Sequence, residues 1–206
     1  MASLMDLLGD SLDQGTVSRI GNELGVDQQT AQSAISAAIP MIVAGLARNA
    51  STPSGADSLH NALARDHDGS LLDDLGGFLG GGGGGQAAGM GGIGGAILGH
   101  VFGGRQGTME NTLGRSTGLD GASAARLLAM LAPIVMAALG RARAQNGLNS
   151  GGLTDLLGGE QARMRQASPD GFGMLTSMLD ADGDGKIDDG IAQMGGSLLG
   201  SLFGRR

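Results

Sequence analysis

Two long stretches of this chain are apolar on almost every face of a helix. They are Gln28–Asn49 and residues 121–145. Each follows the same prelude: a short segment of mixed polarity, then Gly25-Val26-Asp27 or Gly118-Leu119-Asp120. The pattern predicts a short helix, a tight turn and a long helix, twice over. Asp27 and Asp120 stand where an N-cap accepts a hydrogen bond from a free amide of the first turn. Helices that are apolar all round belong in a protein interior. Pro40 and Pro133 fall inside the long helices, where a proline removes one backbone bond and bends the helix. The expectation is two kinked, buried central helices packed as a pseudo-symmetric pair.

The two halves are copies. Gly118 lies 93 residues after Gly25, and the same spacing aligns Ala31 with Ala124, Ile35 with Leu128, Pro40 with Pro133 and Arg48 with Arg141. A recurring mid-helix proline in register makes the match specific. A looser echo links residues 66–74 to 182–190, at an offset of 116: Asp66 falls on Asp182, Asp68 on Asp184, Gly69 on Gly185 and Asp73 on Asp189. Between the copies stand six consecutive glycines at 80–85, within a Gly-rich stretch that runs to Gly95. A tract without side chains buries little and loses maximal chain entropy on ordering, so it reads as a linker. The predicted organisation is a first helical repeat at 1–79, a linker at 80–95 and a second repeat at 96–206. The fold class is all-α.

Composition narrows the chemistry. Of 206 residues, 42 are Gly and four are Phe, with no Trp or Tyr. Leu, Ile, Ala and 11 Met must therefore fill the core, and core filling is the reading for most of those methionines. The net charge of −7 argues against duplex nucleic acid, whose binding rests on Lys and Arg neutralising phosphates. The absence of cysteine excludes a disulfide framework, thiol catalysis and thiolate zinc sites. The first ten residues have no basic n-region, and Asp6 interrupts their apolar run. The longest uncharged apolar run, 127–140, is fourteen residues, short of a bilayer span. The expectation is a cytoplasmic protein with no transmembrane segment.

Residues 180–191, Asp-Ala-Asp-Gly-Asp-Gly-Lys-Ile-Asp-Asp-Gly-Ile, carry the one nameable chemistry. Calcium takes six to eight oxygen ligands, and an EF-hand loop supplies them from alternate positions around a glycine that makes the sharp turn. Asp180, Asp182 and Asp184 fill positions 1, 3 and 5. Gly185 fills position 6, and Lys186 offers its carbonyl at position 7. Asp188 stands at position 9, where the ligand commonly acts through water. Position 12 calls for a bidentate Glu and holds Ile191. Asp188 or Asp189 must close the shell instead, and Asp73, aligned with Asp189, favours the latter. Five carboxylates within ten residues repel one another without a cation. The cofactor expected is Ca2+, with Mg2+ as the alternative, and its role is structural stabilisation. Residues 66–74 read as a degenerate copy, because Ala64 stands where Asp180 does.

Other readings are weaker. Residues 16–35 have the rhythm of a DNA-binding helix-turn-helix, with Gln28, Gln29 and Gln32 placed to face bases. No Lys or Arg follows before Arg48, so packing is the favoured use. The Gly-punctuated apolar helices suggest an interaction or assembly protein, docking a partner or a second copy in a homo-oligomer. Enzymatic motifs are absent: His60, His67 and His100 have no zinc-ligand spacing, and neither a G-x-S-x-G elbow nor a phosphate loop occurs.

The Met-Asp-Leu-Leu start, the segment from Gly25-Val26-Asp27 to Ala38-Ile39-Pro40, residues 66–74 and the 179–190 loop resemble a bacterial family. It is domain-of-unknown-function family 937, similar to YidB-like proteins. The resemblance implies a helical protein and carries no assigned activity.

Overall fold

The computed structural model describes residues 4–80 and 87–167, and these are all-α, with no strand among them. The order is α1 (Leu4–Ser11), α2 (Gln14–Leu24), α3 (Gln28–Asn49), α4 (Pro53–Arg65) and a 3-10 turn at Ser70–Asp74. Then come α5 (Leu75–Gly80), α6 (Ala87–Phe102), a 3-10 turn at Gly103–Arg105, α7 (Gln106–Thr117), α8 (Gly121–Asn146) and α9 (Ser150–Ala167). The described residues up to Gln161 form one compact unit.

The two helix-turn-helix preludes form by the same local physics. Asp27 Oδ1 accepts from the Thr30 amide at 2.9 Å, and Asp120 Oδ1 accepts from the Ser123 amide at 2.9 Å. Gly25 and Gly118 close α2 and α7 in the left-handed region, at φ 71° and 77°, which only glycine adopts without strain. Gly21 and Gly114 sit one turn earlier in their helices. A Cβ on either would press on the carbonyl oxygen of Val26 or Leu119. Glycine at these places lets the chain fold back tightly enough for the long helix to pack on the short one.

The long helices have the predicted extents, α3 to the residue and α8 one residue further. Each contains its proline as an internal residue. α8 is the axis of the unit. It touches α1, α2, α3, α4, α6, α7 and the Ser70–Asp74 turn, and Leu127, Leu128, Leu131, Ile134 and Val135 along it are completely buried. α3 presents Ala31, Ala34, Ile35, Ala38, Ile42 and Leu46 to the same core. Met41, Met109, Met130 and Met136 are buried, as core filling requires, whereas Met5 is partly exposed. By length and composition alone α3 and α8 reach what a bilayer span needs, and 56% and 72% of their apolar windows are buried inside the structure.

The Gly-rich stretch differs from its expectation as a linker to Gly95, because its second half is helical from Ala87. The reason is packing. Gly94 lies against the Ala129 carbonyl of α8, and a Cβ there would collide with it. Pro133 has no N–H, so it cannot bond the Ala129 oxygen as an ordinary residue four places on would. Farther along α6, Val101 and the Phe102 ring fill the space that a side chain at Gly45 of α3 would need. Asn49 Nδ2 donates to the His100 carbonyl at 3.0 Å and fixes the end of α3 to α6. Tertiary contact thus overrides the low helix propensity of the glycines.

Candidate functional site

The loop expected to hold calcium lies outside the described residues, and with it Asp180, Asp182, Asp184, Lys186, Asp188 and Asp189. Its relative at 66–74 is described, and its geometry is informative. α4 ends at Arg65, with Asp66 as C-cap, and the chain turns through Asp68 and Gly69 into the Ser70–Asp74 turn. Asp68 Oδ1 accepts from the Ser70 amide at 3.0 Å, an Asx turn. Gly69 has φ 101°, a backbone state that favours glycine strongly. This is the sharp turn that the alignment assigns to Gly185. Asp74 Oδ1 accepts from the Gly77 amide at 2.8 Å at the start of α5.

The turn is fastened to the C-terminal third of α8. Arg141 Nη2 donates to the Gly69 carbonyl at 2.9 Å and to Asp73 Oδ1 at 2.6 Å. One guanidinium nitrogen therefore bridges a backbone oxygen and a carboxylate four residues apart in the loop. Beside it, the His67 carbonyl abuts Gly140, where a Cβ would overlap it. Sequence reasoning did not find Arg141 or Gly140. The available signal was Arg141 itself, the first charge after fourteen uncharged residues. Among the described residues no group of three His, Cys, Asp or Glu could hold a metal ion. The cation at 66–74 is the arginine.

Electrostatics follow the hydrogen bonds. The Ser70 amide, and then its hydroxyl, hold the Asp68 carboxyl below its usual value. Burial pushes the His67 imidazole below the ordinary histidine value, and the charge of Asp66 opposes this only in part. His67 is half-buried. His60 is half-buried on α4 and His100 exposed on α6.

The helix-turn-helix predicted at 16–35 is formed by α2 and α3, and Gln28, Gln29 and Gln32 are exposed. Arg19, the basic residue of α2, donates to the Gly76 carbonyl at 2.9 Å.

Next to the acidic turn lies an open groove of about 540 Å³. Its lining combines Asp66, Asp68 and Asp74 with apolar residues that include Phe78, Ile93 and Pro133. Ile93 is 54% exposed, the most exposed large apolar side chain among the described residues.

The family model described as "Bacterial protein of unknown function (DUF937)" matches residues 6–142. Neither a curated protein nor a solved structure matches the chain.

Proposed function

The chain belongs to the bacterial DUF937 family, and since the matched region ends before residue 180, we propose its function from its own residues: calcium binding at 180–191, mainly for structural stabilisation. The side chains of Asp180, Asp182 and Asp184 and the carbonyl of Lys186 would hold the ion. Asp189 would close the shell, with Asp188 acting through water. The ion would supply no catalysis. It would relieve repulsion among five carboxylates and fix the loop.

The observation that carries this reading is the related turn at 66–74. Its Gly69, aligned with Gly185, takes the left-handed turn that a calcium loop needs. Its Asp73, aligned with Asp189, binds a cation together with a loop carbonyl. The same loop pattern, given Asp180 where the first copy has Ala64, has the ligands to take a metal in place of a guanidinium. Lacking the bidentate Glu of position 12, the loop should bind at roughly 10⁻⁵ to 10⁻³ M, with magnesium as the weaker competitor.

Titration calorimetry of the full chain with calcium tests the proposal. The expected result is saturable heat, lost in Asp182→Ala, and a melting temperature that falls in chelator. Equal melting curves in calcium and chelator, with no heat at millimolar calcium, would remove it.

A further inference from the structure

The groove beside the acidic turn has a wall chemistry that neither the family nor the calcium reading uses. Three carboxylates line it, and two of them are already oriented. Asp68 is held by the Ser70 amide, and Asp74 by the Gly77 amide. Oriented groups lose little freedom on binding, which favours a ligand that pairs with them. The adjacent guanidinium, Arg141, is engaged with Gly69 and Asp73 on the α8 side of the turn. His67 also lines the groove, and burial holds its imidazole below the ordinary histidine value. The lining thus holds three carboxylates and no Lys or Arg. Phe78, Pro133 and the half-exposed Ile93 add apolar surface to the same lining. A volume of about 540 Å³ is of the size that takes a few side chains.

We propose that this groove is a docking site for a peptide segment of a partner protein in which apolar side chains alternate with Arg or Lys. The apolar side chains would cover Ile93 and Phe78, while the cations pair with Asp66, Asp68 and Asp74. Charge complementarity selects this occupant. An acidic or uncharged segment leaves the carboxylates unpaired, and a simple polyamine leaves the apolar wall wet.

The experiment uses the full chain in chelator, so that the 180–191 loop contributes no metal-dependent effect. A fluorescein-labelled peptide of alternating leucine and arginine is titrated by anisotropy, beside a leucine–glutamate peptide and with spermine as competitor. The expected result is saturable binding of the arginine peptide only, weakening as salt rises. Ile93→Ser should weaken it about tenfold, the scale of one apolar side chain left half-covered. Asp66→Asn should weaken it about fivefold, as loss of one facing charge does. Both residues are exposed, so the variants test the groove rather than the core. Asp182→Asn should leave the affinity unchanged. Equal affinity in wild type, Ile93→Ser and Asp66→Asn would overturn the proposal. So would full displacement by spermine at equal concentration, or no binding because residues of the chain itself cover the groove.

Discussion

The carbonyl oxygen of His67 rests on the α carbon of Gly140, in the volume that any side chain there would occupy. The acidic turn can lie on α8 only because the helix has no side chain at that point. Gly140→Ala should therefore cost about 1–3 kcal/mol, as overpacking of a closed contact does. Gly99→Ala is the control, since Gly99 is helical with nothing near its missing Cβ. It should be neutral or gain up to about 1 kcal/mol from helix propensity. Urea denaturation of both variants measures the contrast.

The ion pair between Arg141 and Asp73 should contribute little by itself. Its side chains are 28% and 71% exposed, and solvent screens such pairs. A double-mutant cycle with Arg141→Gln and Asp73→Asn should give a coupling of about 1 kcal/mol or less. Arg141→Gln alone should cost more than Asp73→Asn alone, because it also withdraws the donor from the Gly69 carbonyl. A coupling well above that would mean that the turn is held by charge rather than by packing.

Leu131 is completely buried at the centre of α8. Leu131→Ala should cost about 2–5 kcal/mol through lost burial and a residual cavity. A smaller loss in denaturant titration would mean that the core around α8 collapses to fill the gap.

Stability should fall with acid in two steps of known sign. Burial lowers the folded pKa of His67, so the unfolded chain takes up the proton first, near pH 6.5. The contribution of neutral His67 is present above that pH and is lost as pH falls through the lower folded value. His67→Gln should flatten the slope of melting temperature between pH 7 and 5. The carboxyls of Asp13, Asp27, Asp68 and Asp120 are held below the usual 3.8 by hydrogen bonds from the Thr16, Thr30, Ser70 and Ser123 amides and hydroxyls. Their contribution is present above that value and is lost below it. The double variant Asp27→Asn/Asp120→Asn keeps a capping side chain that does not titrate. It should fold at neutral pH and lose its share of the drop below pH 4.

The elements governed by local chemistry were legible in the sequence. Gly25 and Gly118 close helices, Asp27 and Asp120 open them, and the apolar run from Leu127 made α8 a core helix. Each rule operates within a few residues of chain, which is why it can be read there. The contacts of α6 were not legible. Its glycines look like a linker until Gly94 meets the Ala129 carbonyl of another helix, and no local pattern announces that meeting. The same holds at the site. The turn at Gly69 followed from its alignment with Gly185, whereas the Arg141 bridge joins residues 68 and 72 positions apart. At Arg141 the duplication offered the hint, by placing an arginine near the C-terminal end of both long helices.

Pro133 denies the Ala129 oxygen its usual donor four residues on, and Gly94 is the residue that meets that oxygen. A missing bond inside one helix thereby becomes a password for its neighbour. Only a helix with glycine at the crossing can come close enough, so the lesion in α8 tells α6 where along α8 to sit.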